Sequence, residues 1–244
     1  MHGAWHGPWC WDRLRSELDD VDVRTVAQPG TGPDPDVLGD LYDDAAAVRS
    51  TVAAIDGPVV VCAHSYGGSP ASEGVAGVTN VRRLVFVAAC VPEIGESVLD
   101  LAGNEWPPVW EVHESRGYAD VRDPLATLYQ DVDPAIAESA AVRLRHQSLT
   151  SLTQPNRQAG WHDVPSSYLV LEEDATFPVP LQELLAGRVG SSRRLDSGHS
   201  PFFSRPAELA RLLREELDQA STRELDQAST RELDQASGPD STGR

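Results

Sequence analysis

The sequence of 244 residues predicts a single α/β domain with a mostly parallel sheet and helices on both faces. Three observations predict it. Short runs rich in β-branched residues alternate with stretches whose apolar side chains recur at helical spacing. Two of those runs, residues 59–63 and 84–89, are apolar without a break, as in strands covered on both faces. The length also suits one domain with a full hydrophobic core.

The elements follow in order. Residues 23–27 read as a strand, and residues 28–36 as a Pro/Gly/Asp loop. Residues 38–55 carry Leu38, Leu41, Ala45, Val48 and Val52 at helical spacing. Residues 59–63 form a buried strand that runs into a helix from about Tyr66, where Pro70 is tolerated because first-turn N–H groups have no helical partner. Residues 84–89, 168–171 and 193–195 are further strands, and residues 180–188 and 206–217 are helices opened by proline. From Val91 to Trp161 the alternation breaks. This stretch holds Trp106, Trp110, Tyr118 and Tyr129 with short helical pieces such as residues 134–144, and reads as an insertion, about residues 92–163, lying as a small helical cap over one end of the sheet. The main domain is expected to span residues 1–215. Residues 216–244 repeat Glu-Leu-Asp-Gln-Ala-Ser-Thr-Arg with a period of eight. Successive copies of Leu217, Leu225 and Leu233 are rotated by about 80° on a helix, so no apolar stripe forms and the tail is expected to be a frayed polar helix or disordered.

Composition narrows the function classes. A formal net charge of -18 disfavours nucleic acid and anionic membranes as partners. No apolar run approaches the roughly 18–20 residues that span a bilayer, and the start has no basic or apolar leader, so a cytoplasmic location is expected. Cys10, Cys62 and Cys90 are odd in number and far apart, which argues for free thiols and against a disulfide framework or a metal knuckle. All twenty basic side chains are Arg, so Lys-dependent chemistry is excluded.

The strongest chemical signal is Val-Val-Val-Cys-Ala-His-Ser-Tyr-Gly-Gly, residues 59–68. A buried strand enters a tight turn and then a helix. The positions two before and two after the serine must be small, and Ala63 and Gly67 are. Such a turn thrusts the Ser65 hydroxyl out at the strand's C-terminal end as a nucleophile and aims the Tyr66 N–H at any oxyanion formed there. A second signal is Leu-Asp-Ser-Gly-His-Ser-Pro-Phe-Phe, residues 195–203, which puts His199 in a loop between the last strand and the last helix as a candidate base. Glu172, Glu173 and Asp174 all follow the strand at 168–171, any of them able to orient a base. The start, His-Gly-Ala-Trp-His-Gly, is a Gly-containing loop with two further histidines. His113, His146 and His162 lack an acid and nucleophile nearby in sequence and read as structural or cap residues.

These motifs, with His-Gly-Ala-Trp-His-Gly-Pro-Trp-Cys-Trp, Glu-Asp-Ala-Thr-Phe-Pro, Leu-Val-Phe-Val-Ala-Ala-Cys-Val-Pro and Trp-His-Asp-Val-Pro-Ser-Ser-Tyr, resemble the α/β-hydrolase branch that contains plant methyl esterases, hydroxynitrile lyases and bacterial esterases. The resemblance covers about residues 1–215. It implies a catalytic triad of Ser65, His199 and Asp174, in the chain order Ser, Asp, His. It also implies an oxyanion hole from the N–H groups of Ala4 and Tyr66, with His2 and His6 supporting the loop. The implied function is hydrolysis of a small-molecule ester without metal or cofactor. Lyase members carry Thr at the position of Gly3 and Lys at that of Ser200, so esterase is favoured over lyase; a non-catalytic ligand-binding member is the alternative outside enzymes. One departure stands out. The branch has a central strand before the oxyanion loop, between the strands at 23–27 and 59–63. Met1 stands where its last apolar residue belongs, and the strand is expected to be missing from the chain as written, with the true start upstream. Its loss would strip two neighbours of ladder hydrogen bonds, at about 1–3 kcal/mol for each buried group left unpaired.

Overall fold

The computed structural model describes residues 1–236, with side chains through Ser221. In chain order the elements are α1 (Asp12–Glu17), β1 (Thr31–Gly32), α2 (Leu41–Ala53), β2 (Val59–His64), α3 (Gly68–Gly74), β3 (Val81–Val87), α4 (Val98–Leu101), β4 (Trp110–His113), β5 (Tyr118–Val121), α5 (Pro124–Thr127), α6 (Pro134–Ala141), β6 (His146–Ser148), α7 (Leu149–Thr153), β7 (Ser166–Leu171), α8 (Val179–Ala186), β8 (Ser191–Leu195), α9 (Pro201–Ser204) and α10 (Pro206–Ala236). The main sheet has the order β2-β3-β7-β8, and every pair in it is parallel.

Side-chain alternation along the strands builds two cores. Val85 and Val87 of β3, with Leu169 and Leu171 of β7, pack with Leu14, Leu209 and Leu213 of α1 and α10. Their sequence neighbours Leu84, Phe86, Tyr168 and Val170 point the other way, onto Val48 and Val52 of α2, Val75 after α3 and Leu185 of α8. Both faces are therefore apolar, as the unbroken runs required. Burying each such side chain contributes about 1.5–3 kcal/mol. Helix α2 starts sharply because Asp40 accepts from the N–H groups of Tyr42 and Asp43, while Asp43 answers by accepting from the Asp40 N–H.

Residues 92–163, expected as a cap, hold four short helices, α4 to α7, and more sheet than the sequence suggested. Strands β4, β5 and β6 form an antiparallel sheet completed by β1 from the loop before α2. Each is only two to four residues long, too short for hydrophobic periodicity to register.

Residues 23–27, expected as a strand, belong to no ladder. No strand among the described residues lies between them and β2. In that place is a groove of about 370 Å³, lined by Val23, Val26, Val59, Val61 and Leu213 among others. Met1 pairs with the end of β2 alone: its ammonium donates to the Cys62 carbonyl at 2.8 Å, and the His64 N–H donates to the Met1 carbonyl at 3.2 Å. The two would-be neighbours thus face each other across the groove.

Helix α10 runs without interruption through residue 215, the expected domain limit. Glu216 is buried and ion-paired with Arg83 of β3, so the first turn of the repetitive segment packs on the sheet. The repeats are helical as far as Ala236; the rest of the expected tail, residues 237–244, lies outside the described residues.

Candidate active site

Parallel strands place their C-terminal ends on one rim, and three of them deliver the site there. Ser65 follows β2, Asp174 follows β7 and His199 follows β8. Ser65 has φ +52, the left-handed region that most side chains avoid. The turn is crowded. A Cβ on Gly67 would stand 2.5 Å from the His2 carbonyl oxygen, and one on Gly68 would stand 2.0 Å from that of Cys90. Glycine is therefore dictated at both positions by close approach of backbone.

The hydroxyl, imidazole and carboxylate converge. His199 Nδ1 lies 2.7 Å from Asp174 Oδ2, and His199 Nε2 lies 3.2 Å from Ser65 Oγ. A carboxylate only accepts, so Nδ1 carries the proton and Nε2 offers its lone pair to the Ser65 O–H. His199 and Asp174 are both buried. The acid is fixed in turn: Asp174 Oδ1 accepts from the N–H groups of Thr176 and Phe177, each at 2.8 Å. Gln182 braces this turn by accepting from the Leu171 N–H at 2.8 Å and donating to the Phe177 carbonyl at 2.7 Å. Of the rival carboxylates, Glu172 and Glu173 are exposed, and Glu172 pairs with Arg194.

The N-terminal loop lies against Ser65. A Cβ built on Gly3 would stand 2.9 Å from Ser65 Cβ. The loop is held by groups from three directions. His2 donates from Nδ1 to the Gly3 carbonyl, and His6 from Nδ1 to the Ala4 carbonyl, each at 2.9 Å. His6 Nε2 accepts from the Tyr129 hydroxyl at 2.9 Å. Trp5 donates from its indole to the Ala119 carbonyl of the cap at 2.9 Å, and Gln28 donates to the His2 carbonyl at 2.7 Å. Burial pushes His2 down to about 3 and His6 down to about 4, so both rings are neutral braces. Ala4 is buried in this loop, and Tyr66 is the second residue of the helical turn Ser65–Gly67, where N–H groups have no helical acceptor.

Three contributors escape a reading of the sequence. His64, beside Ser65, turns its ring to the His199 carbonyl and donates from Nε2 at 2.8 Å. Asp131, from the cap, accepts from the Gly198 N–H at 2.8 Å, just before His199. Asp44 of α2 accepts from the Tyr66 hydroxyl at 2.5 Å. All are long-range contacts without a local motif. Of the remaining histidines, His146 pairs with Asp120 and His162 with Glu93, both away from Ser65. The three cysteines are free thiols; burial pushes Cys62 up to about 11 and Cys90 up to about 12, which leaves them inert as nucleophiles. The groove beside β2 contains none of Ser65, Asp174 or His199. No helix among the described residues is long and apolar enough to cross a membrane.

The model of the "Alpha/beta hydrolase family" matches residues 1–212. This chain belongs to that family. Within it, the chain is 28% identical over 189 residues to "Probable hydrolase R7" of Phoma sp., covering 72% of this chain and 78% of the relative. It is 27% identical over 233 residues to the "Carbendazim hydrolyzing esterase" of a Nocardioides species, covering 87% and 96%. Among solved structures, the Arabidopsis methylesterase MES16 superposes with a TM-score of 0.77 at 22% identity, over 89% of this chain and 97% of that one. The α/β-hydrolase fold that the motifs led us to expect is thus the fold of the chain, and its relatives include plant methylesterases and bacterial hydrolases.

Proposed function

We propose that this chain is a serine hydrolase that cleaves a small carboxylic ester through an acyl-enzyme. The observation that carries the reading is the unbroken relay from Asp174 through His199 to Ser65, at 2.7 Å and 3.2 Å. His199 takes the Ser65 proton while the serine oxygen attacks the ester carbonyl. Asp174 holds the imidazole in the required tautomer and stabilises it once charged. The N–H groups of Ala4 and Tyr66 receive the oxyanion, each contributing about 2.7–4 kcal/mol. His199 then protonates the departing alcohol. A water, activated by the same imidazole, releases the acid and restores Ser65. The placement of Gly3 against Ser65 supports the assignment of Ala4, the next residue in that loop. These steps call on side chains and backbone alone.

Relatives that are esterases by name support an ester as substrate. Trp106 and Trp110, half-buried in the cap with ring centroids 5.8 Å apart, favour an apolar or aromatic acyl group. The cap, residues 92–163, is the substrate-covering part in this reading. A cytoplasmic location belongs to it as well, supported by three free thiols. The partner is a small molecule, not nucleic acid or membrane.

A fluorophosphonate label and an ester panel test the proposal. The expected outcome is a Ser65 adduct and turnover of p-nitrophenyl esters, both lost in Ser65→Ala. An adduct without ester turnover would point to a ligand-binding member of the fold. Turnover of hydroxynitriles in place of esters would point to a lyase.

A further inference from the structure

Asp44 is a buried carboxylate with no task in the relay. It sits in the first turn of α2, is 0% exposed, and no Arg among the described residues is paired with it. Its partners are two neutral donors: the Tyr66 hydroxyl on Oδ2 at 2.5 Å and the Gly30 N–H on Oδ1 at 2.6 Å. Burial pushes the carboxyl up to about 7, against the pull of those two bonds. A group held at such expense by two specific donors invites the question of what the donors do.

Both lead to the oxyanion site. Tyr66 follows the nucleophile, and its ring is 2% exposed. One end of this residue is the backbone N–H beside Ser65; the other is the hydroxyl on Asp44. A side chain with two rotatable bonds, fixed at its tip, fixes the backbone that carries it. Gly30 belongs to a turn closed by the Thr31 N–H on the Gln28 carbonyl at 3.0 Å. From that turn Gln28 donates to the His2 carbonyl, two residues before Ala4. The fit at Gly30 is tight, since a Cβ there would stand 2.6 Å from Asp44 Oδ2. One carboxylate thus stands behind both N–H groups that the proposed mechanism uses.

We propose that Asp44 is a positioning residue that aligns the Tyr66 and Ala4 N–H groups, acting through the Tyr66 hydroxyl and the Gly30 turn. The inference rests on the oxyanion-hole reading above. Asp44 touches no substrate; its effect is to hold the donors at the spot where the oxygen becomes charged, and not merely to stabilise the fold.

The test uses Tyr66→Phe, which removes one oxygen and keeps the N–H, with Asp44→Asn and the double variant. The two donors lie on different carboxylate oxygens, and in asparagine one of those positions becomes an NH2 that donates, so one donor loses its acceptor. Two rates are read: kcat and KM for p-nitrophenyl acetate, and the rate of Ser65 labelling by a fluorophosphonate, which also builds negative charge on an oxygen. Each single variant is expected to lose about tenfold to a hundredfold in kcat and in labelling rate. KM should stay within about twofold, and the double variant should be no slower than the slower single one, because both changes cut the same link. Folded variants with wild-type rates would overturn the proposal, and so would losses that multiply in the double variant. A Tm shift with unchanged kcat per folded molecule would reduce Asp44 to a structural part. If the wild type is labelled but hydrolyses no ester, the esterase reading fails while the labelling rates still decide this one. If Ser65 is not labelled at all, both fail.

Discussion

The imidazole of His64 donates from Nε2 to the backbone carbonyl of His199, 2.8 Å away, so the residue before Ser65 holds the residue proposed as its base. Burial, and then the neighbouring His199 and His6, keep His64 well below the ordinary histidine range, so it is neutral and its second nitrogen carries no proton. That nitrogen, Nδ1, has no partner. In His64→Ala the His199 carbonyl loses its donor and a void opens beside Phe202, whose ring centroid lies 5.1 Å from that of His64. The expected cost is at least about 1–3 kcal/mol in urea unfolding, with a fall in kcat as the base loses its anchor.

Gly3 leaves no space for a side chain. In Gly3→Thr the new Cβ meets Ser65 Cβ at 2.9 Å and His64 Nδ1 at 2.9 Å, both parts of a rigid turn. Esterase activity is expected to fall at least about tenfold, more steeply than stability. Initial rates with p-nitrophenyl acetate, set beside a thermal melt, separate the two effects.

Gln182 is the support of the acid turn. Gln182→Leu keeps the volume but leaves the Leu171 N–H without its acceptor, in a strand whose six residues are all buried. Unfolding free energy should fall by about 1–3 kcal/mol. The Asp174 turn, freed from one of its braces, should exchange its Thr176 and Phe177 amide protons faster, which hydrogen exchange reads directly.

The buried acid and the buried histidines give stability opposite slopes with pH. Asp44 rises from 3.8 unfolded to about 7 folded, because burial disfavours its charge. Its folded form therefore holds the extra proton between those values. That contribution is whole below about 4 and is lost as pH climbs through 7. The groups facing it are Asp40 and Asp43 on its own helix, which push the same way, and the Tyr66 hydroxyl and Gly30 N–H, which pull back. His2 and His6 act in reverse: their folded values lie near 3 and 4 against 6.5 unfolded, so their contribution is present above 6.5 and lost on acidification. In Asp44→Asn the Asp44 slope is gone while the histidine slope remains. Measured as Tm, the difference between Asp44→Asn and the unsubstituted chain should move in favour of the variant from pH 4 to pH 7. A constant difference would show that Asp44 does not titrate there.

Strong local signals made the parallel sheet legible. The runs around Val61, Leu84 and Tyr168 are apolar on both faces, and that pattern has few other meanings. The turn at Ser65 was legible for the same reason, since small residues at Ala63 and Gly67 satisfy a steric demand. Residues 23–27 have strand composition but no ladder, because a strand is completed by a neighbour and none adjoins them among the described residues. The cap sheet was invisible: Thr31 meets Gln147, and Glu111 meets Asp120, through registers set by the tertiary fold. The supporting bonds of His64, Asp44 and Asp131 were hidden because each joins residues more than 20 apart in the chain.

Ser65 sits with φ +52, a shape in which only glycine rests without strain. Holding the Ser65 hydroxyl in this turn costs the resting protein about 1–3 kcal/mol. Replacing Ser65 by Gly would therefore yield an inert molecule that melts at a higher temperature than its parent.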